Sequence, residues 1–285
     1  MSLFEQIQQT TTHARELGAL ISLTTKQEIV EDQEVAFVVR ILEKITTKEN
    51  YQKTQVKRKI NPFLPYDQNL FVADLSANHV CLLNKFNVVD NHILIITRDF
   101  QSQEDWITEA DFSALATCMQ EIDGLAFYNA GKFAGASQPH KHLQLIPFSD
   151  DLDAFDVPIE KAIANLDFSS PQPTQINIFP FRHAIASIHT HYDGQTLIEI
   201  YESLLKYLNF IDAPLTNEQQ TQPYNLLVTR RWMLLVHRFQ DCYEKISVNS
   251  LGFAGALLVR DHHQLDFLKT LTPIQLLAKV AHSNG

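Results

Sequence analysis

Two stretches of this chain read as strand, short turn, strand. In "HVCLLNKFNVV" and "HILIIT" (79–97) the turn falls near Asp90 and Asn91, and in "YNLLVTRRWMLLVHR" (224–238) near Arg230 and Arg231. Links that short pair strands antiparallel, because a parallel return needs a crossover of about a dozen residues. "EVAFVVRIL" (34–42), "LAFYNA" (125–130), "HKHLQLIPF" (140–148) and "NIFPFRHAIASI" (177–188) add further strands. Helices are predicted over 3–20, with Leu3, Ile7, Ala14 and Leu17 at helical spacing, and over 108–122, where Thr108 is the N-cap and Asp111 completes a capping box. Two more span 194–210, with Leu197, Ile200, Tyr201, Leu204, Leu205 and Leu208 on one side, and 265–281. Residues 61–71, 169–175 and 212–224 are rich in prolines or polar residues and read as loop or linker. Hairpins interleaved with helices predict an α+β fold, a mainly antiparallel sheet flanked by helices.

Charge and cysteine content narrow the function. The formal net charge of −10 argues against sequence-independent nucleic-acid binding, which needs clustered cations. A small anion remains possible as a ligand, since a local basic pocket outweighs distant acids once salt screens them. Three widely spaced cysteines, Cys81, Cys118 and Cys242, form no CxxC, so neither a disulfide framework nor a cysteine zinc site is expected. "MSLFEQIQQTTTHAREL" lacks the basic and apolar regions of a signal peptide, and no apolar run approaches the ~18 residues of a membrane helix. The expectation is a cytoplasmic protein with no membrane association; its oligomeric state is left open by the sequence, a monomer being compatible with it.

The most informative stretch is "GKFAGASQPHKHLQLIPF" (131–148). On a strand, His140, His142 and Gln144 share one face and Lys141, Leu143 and Leu145 the other. The chain has only eight glycines, and two of them, Gly131 and Gly135, lie in the loop just before. Glycines allow φ > 0 and close approach to a ligand, and successive N–H groups there can form an anion-binding nest. Ser137 adds a hydroxyl, and Asn129 ends the preceding strand. Neutral imidazole is a good nucleophile near pH 7 and a good leaving group once protonated. Gln144 can donate to a phosphate without quenching it. Two other readings stand beside this one. H-x-H can be a metal pair, with His189, His191, His262 or His263 supplying a third ligand, or it can be two structural histidines.

These residues resemble a known family. "YNAGKFAGASQPHKHLQ" is similar to the active-site segment of the ATP adenylyltransferases, or diadenosine tetraphosphate phosphorylases. These belong to the galactose-1-phosphate uridylyltransferase branch of the histidine-triad (HIT) superfamily, where the triad is shortened to H-x-H-x-Q. "NPFLPYDQNLFV", "LLNKFNVVDNHILIITRDFQSQEDWIT", "YNLLVTRRWMLLVHR" and "SVNSLGFAGALLVR" match the family's pattern in order, across roughly residues 35 to 262. The resemblance implies a HIT-like fold over residues 1–285 as one catalytic unit, with an N-terminal part (1–170) carrying the motif and a C-terminal adenylyltransferase part (171–285).

The resemblance also implies roles. His142 would be the nucleophile that becomes adenylylated, His140 a supporting or phosphate-contacting histidine, and Gln144 the holder of the scissile phosphate. Asn129, Gly135, Ala136, Ser137 and Gln138 would bind the polyphosphate, and Asn84 with Lys85 the nucleotide. Asn249, Ser250 and Leu251 would meet the second nucleotide or leaving group, and Ala256 and Arg260 occupy contact positions. Arg260 stands where the family often has lysine, and a guanidinium is not equivalent to an ammonium. Lys48 aligns best with an N-terminal lysine contact, with Lys44 and Lys53 as rivals. Gly252 and Gly255 read equally well as close strand packing. The implied reaction is reversible phosphorolysis of diadenosine tetraphosphate to ATP and ADP. No cofactor would be tightly bound and no protein metal site is expected, with a divalent cation such as Mg²⁺ accompanying the nucleotide. Alternatives are uridylyl transfer to a sugar phosphate, a non-catalytic nucleotide sensor, or a zinc protein using H-x-H.

Overall fold

The hairpin pattern resolves into one eight-stranded antiparallel sheet in the computed structural model, which describes residues 1–43, 61–148, 157–168, 170, 172–188, 192–212, 215 and 222–284. In chain order its strands are β3 (Phe71–Asp74), β4 (His79–Leu83), β5 (Ile93–Thr97), β6 (Gly124–Ala130), β7 (His142–Pro147), β8 (His183–Ser187), β9 (Tyr224–Val228) and β10 (Trp232–His237). Across the sheet they run β3-β4-β5-β7-β6-β9-β10-β8, and every neighbouring pair is antiparallel. Strands from both halves of the chain meet at the β6–β9 pair, so one sheet spans both. A smaller sheet pairs β1 (Thr25–Asp32) antiparallel and β13 (Ala256–Val259) parallel with β2 (Val35–Leu42). β11 (Cys242–Tyr243) and β12 (Ile246–Ser247) form a ribbon.

Period-two alternation gives the large sheet two apolar faces. Ile93, Ile95, Leu143, Leu145, Ala126, Tyr128, Leu226 and Leu235 face one core, covered by helices α1 (Leu3–Glu16), α2 (Glu109–Glu121) and α4 (Gly194–Tyr207). The other face is divided. Phe63, Val80, Leu82, Leu94 and Ile96 cluster at one end. At the other end Leu125, Phe127, Ile146, Leu227 and Leu234 pack under the small sheet and the short helices α3 (Glu160–Ile163), α5 (Ser250–Phe253), α6 (His262–Leu271) and α7 (Pro273–Val280). Between these two clusters β7 carries polar side chains.

Local chemistry explains the elements. Thr108 and Asp111 exchange both capping-box hydrogen bonds at the start of α2, as the sequence implies. In α4, Leu197, Tyr201, Leu204 and Leu205 are buried on one side. Four expectations need correcting. Leu17 lies beyond the end of α1 and is exposed. The strand expected over 177–188 begins only at His183, because Pro180 interrupts it and the His183 ring folds back to donate to the Phe181 carbonyl at 2.7 Å. The helix expected over 265–281 is two helices: Thr272 takes φ 74°, and Pro273, with no N–H to give, opens α7. β7 begins at His142 rather than His140, which forms only an isolated bridge to Ser102. Among the described residues, no helix is long and apolar enough to cross a membrane.

Candidate active site

The polar strip exists because two strands part. β6 and β7 pair from Gly124–Pro147 to Phe127–Gln144. Continued by two residues, that register would place Asn129 opposite His142. Instead the Gln103 side chain sits between them. Its Oε1 accepts from the His142 backbone N–H at 2.8 Å, and its Nε2 donates to the Asn129 carbonyl at 2.9 Å and the His142 carbonyl at 3.3 Å. Tyr128 Oη in turn donates to the Gln103 carbonyl at 2.8 Å. A buried side-chain amide thus takes the place of a direct ladder contact and satisfies the backbone groups the gap would strand.

His142 is 5% exposed, and its Nδ1–H donates to the His140 carbonyl at 2.8 Å. That bond puts the ring proton on Nδ1 and leaves the lone pair on Nε2. His183 provides a comparison. Its Nδ1–H is held the same way by Phe181, but the backbone N–H of Ile176 donates to its Nε2 at 2.7 Å. His183 is a structural histidine. Among the described residues no group caps Nε2 of His142. Burial lowers the His142 pKa to about 4, the nearby His140 adding to the effect and the bond to the His140 carbonyl opposing it. The neutral ring is therefore favoured by folding. The stability this contributes is complete above the ordinary value of ~6.5 and is lost as pH falls towards 4. A titration of the His142 ring followed by NMR should have its midpoint near 4; a midpoint near 6.5 would show that burial does not hold the ring neutral.

His140 is fully buried. Its Nδ1 accepts from the Asn61 amide at 3.0 Å, and its Nε2–H donates to the Thr97 carbonyl at 2.8 Å. Phe63 and Phe100 meet the ring edge-on. With both nitrogens engaged, the ring supports the His142 lock and offers nothing to a phosphate or a metal. Among the described residues no three His, Cys, Asp or Glu side chains converge as a metal site.

Gln144 lies beside His142 on the same face, half-buried. Its Oε1 accepts from His92 Nε2–H at 3.0 Å, and His92 Nδ1 accepts from the Asn84 amide at 3.1 Å. Asn84 and Lys85 belong to a loop tied to the chain after α1. Ile21 N–H donates to the Lys85 carbonyl at 2.8 Å and Leu23 N–H to the Asn87 carbonyl at 2.8 Å.

The loop over 131–138 folds against the turn at 248–251. Gly135, at φ +89°, has no room for a Cβ, which would come within 2.8 Å of the Val248 carbonyl. The anion nest expected here is not formed by Ala134, Gly135 and Ala136, whose N–H groups donate to the Gly131 and Lys132 carbonyls. Ser137 is exposed and Gln138 half-buried. Asn129 ties the two segments together. Its Oδ1 accepts from Asn225 Nδ2 at 2.8 Å, Ser250 N–H at 2.9 Å and Ser250 Oγ at 2.8 Å. The amide NH₂ is what Asn129 can offer a ligand. Ser250 is fully buried, so it fixes Asn129 rather than meeting solvent. Asn249 caps α5 by accepting from Leu251 N–H at 3.1 Å, and Asn249 and Leu251 are half-buried. Gly252 and Gly255 pack tightly against Val248 and Pro158, which matches the packing reading.

Ala256 and Arg260 belong to β13 and its end, in the small sheet rather than the strip around His142. Lys48, with Lys44 and Lys53, and likewise His189 and His191, lie outside the described residues. Asn61, His92, Gln103, Asn225 and Arg238 also build the site, though no sequence motif singles them out. Asn225 carries a signal as a lone polar residue in an apolar strand, whereas Arg238 follows His237 at the end of another; both are fully buried. The Arg238 guanidinium donates to Asn225 Oδ1, to Val248 O at 3.0 Å and to Ala134 O at 3.4 Å, reaching both loops at once. On the opposite face Lys141 Nζ sits 2.7 Å from Asp111 Oδ2, whose other oxygen is 2.8 Å from His79 Nε2. Burial alone would raise the Asp111 pKa; the bonds from His79 and Lys141 outweigh it and hold the group at about 2.

Comparison with known proteins shows the family and the fold. Residues 1–165 match the model of the Ap4A phosphorylase N-terminal domain, and residues 177–283 that of the ATP adenylyltransferase C-terminal domain. Diadenosine 5',5'''-P1,P4-tetraphosphate phosphorylase 2 of Saccharomyces cerevisiae is 28% identical over 251 residues, covering 79% of this chain and 76% of that protein. The crystal structure of yeast Ap4A phosphorylase Apa2 shares the fold, with a TM-score of 0.81 at 24% identity, covering 100% of this chain and 95% of the other. The structure of that protein in complex with Ap4A gives 0.82 at 23% identity, covering 100% and 98%.

Proposed function

Since the chain belongs to the Ap4A phosphorylase family, whose two domain models it matches in order, we propose that it catalyses the reversible phosphorolysis of diadenosine tetraphosphate to ATP and ADP. The observation that carries this reading is the state of His142: a neutral ring with its proton locked on Nδ1 and, among the described residues, no group on Nε2, beside the Gln144 amide. Nε2 attacks the α-phosphorus. An N–P bond forms, the P–O bond to the bridging oxygen breaks, and ATP leaves. An oxygen of inorganic phosphate then attacks the same phosphorus, the N–P bond breaks, and ADP leaves with the imidazole neutral again.

The other groups divide the work. Gln144 and the Asn129 amide donate to the phosphate oxygens as charge builds on them. Asn84, Lys85 and the 135–138 loop bind the nucleotide and polyphosphate, and the 249–251 turn meets the leaving group. His140 acts through His142. A divalent cation such as Mg²⁺ would accompany the polyphosphate and offset its charge. A nucleotide sensor has no use for an imidazole held in this way.

The test is incubation with diadenosine tetraphosphate and Mg²⁺, with and without phosphate, followed by separation of the nucleotides. ATP and ADP appearing only with phosphate are expected. ATP and AMP without phosphate would make water the acceptor, and no turnover under either condition would overturn the reading.

A further inference from the structure

We infer that His92 is a positioning residue that decides which end of the Gln144 amide faces the substrate phosphate. The inference rests on the reading of Gln144 as a phosphate donor.

An amide side chain has two ends of similar shape and opposite polarity. With its NH₂ towards the phosphate, Gln144 stabilises developing negative charge; turned over, it presents an oxygen that repels it. Packing alone does not distinguish these two states, so something must read the polarity of the group. His92 is the partner at the other end. Its Nε2–H donates to Gln144 Oε1 at 3.0 Å, which leaves the NH₂ of Gln144 for the strip beside His142. A ring whose Nε2 carries the proton needs an acceptor role for Nδ1, and the Asn84 amide supplies it by donating there at 3.1 Å.

The three groups form a one-way chain of donors from Asn84 through His92 to Gln144. Each bond polarises the next. The ring has little freedom to turn. It is 8% exposed and packs 5.8 Å from the Phe127 ring. The backbone closes the same unit, since Asn84 N–H donates to the His92 carbonyl at 2.9 Å. A contact on the nucleotide side of the site, Asn84, is thereby linked to the donor at the reacting phosphate.

The experiment is a double-mutant cycle on diadenosine tetraphosphate phosphorolysis, using wild type, His92→Phe, Gln144→Ala and the double variant. Phenylalanine keeps a ring of similar size against Phe127. His92→Phe should lower kcat about tenfold while KM stays within about twofold, because what is lost is an interaction made in the transition state. In the Gln144→Ala background the same change should alter kcat by no more than about twofold. Equal losses in both backgrounds, no loss in wild type, or an effect on KM alone would each overturn the inference.

A second readout needs no turnover. The ring ¹⁵N shifts of His92 should report the Nε2–H tautomer, and an Nδ1–H tautomer would reverse the chain and overturn the inference. Wild-type protein without phosphorolysis but with an Nε2–H ring would count against the proposed function and leave the relay standing.

Discussion

His142→Ala should remove phosphorolysis of diadenosine tetraphosphate, with a fall in kcat of about 10⁴-fold or more. The size follows from the kind of step that is lost. A donor to the phosphate can be replaced in part by its neighbours, but the covalent route ends when its nucleophile is removed. Its neighbours His140 and Lys141 cannot take over. His140 is fully buried, with one nitrogen held by Asn61 and the other by Thr97. Lys141 points to the opposite face and is paired with Asp111. The fold should survive, because the backbone of residue 142 still donates to Gln103. Diadenosine tetraphosphate should also still raise the melting temperature of the variant, since the proposed nucleotide and polyphosphate contacts lie on other segments. Steady-state kinetics beside a thermal-shift titration would check both. Turnover within about tenfold of wild type would defeat the mechanism.

Arg238→Ala should lower stability by on the order of 3–5 kcal/mol. The guanidinium is fully buried, and burial pulls its pKa down to about 9, a pull that the nearby Asp241 opposes, so it stays charged at neutral pH. It donates to Val280 O at 3.1 Å, Gln240 O at 2.6 Å and Val248 O at 3.0 Å, and to Asn225 Oδ1. Truncation leaves these acceptors buried without that donor, at about 1–3 kcal/mol for each one that finds no other. A fall in Tm of about 10 °C would accompany it, at roughly 2–4 °C per kcal/mol for a chain approaching this size. Arg238→Lys should recover little, because an ammonium cannot spread its donors over the same fork. The loss should extend to activity, since Ala134 and Val248, which Arg238 holds, belong to the two segments that meet at Gly135. Urea unfolding measures the first effect. An unchanged midpoint would mean that water or a shifted side chain satisfies these carbonyls.

The legible parts of the fold were those written in local pattern. Both hairpins, the capping box of α2 and the one-sided burial of α4 follow from spacing and turn chemistry, and the structure has them. β1 was not legible. Half of "TKQEIVED" is charged, and it is a strand because Gln33, at φ 53°, turns the chain back onto apolar β2. The break at Thr272 was signalled by Pro273 but obscured by an apolar pattern that continues across it.

The site divides in the same way. Strand alternation put His142 and Gln144 on one face without any structure. What holds them comes from distant segments: Asn61 on His140, His92 on Gln144, Gln103 between the parted strands, and Ser250 on Asn129 across 121 positions of sequence. No local pattern encodes such pairs. Their trace in the sequence is weaker, as at Asn225, a polar residue within the apolar run "YNLLV".

The central claim is that Nε2 of His142 carries the nucleotidyl group between the two half-reactions. The most direct measurement is the mass of the protein after mixing with diadenosine tetraphosphate in the absence of phosphate, followed by peptide mapping under alkaline conditions that preserve an N–P bond. A single adenylyl group on the peptide containing His142, released as ADP when phosphate is added, is the predicted result. ATP and ADP formed with no adduct on that peptide, or with the adduct on another residue, would contradict it.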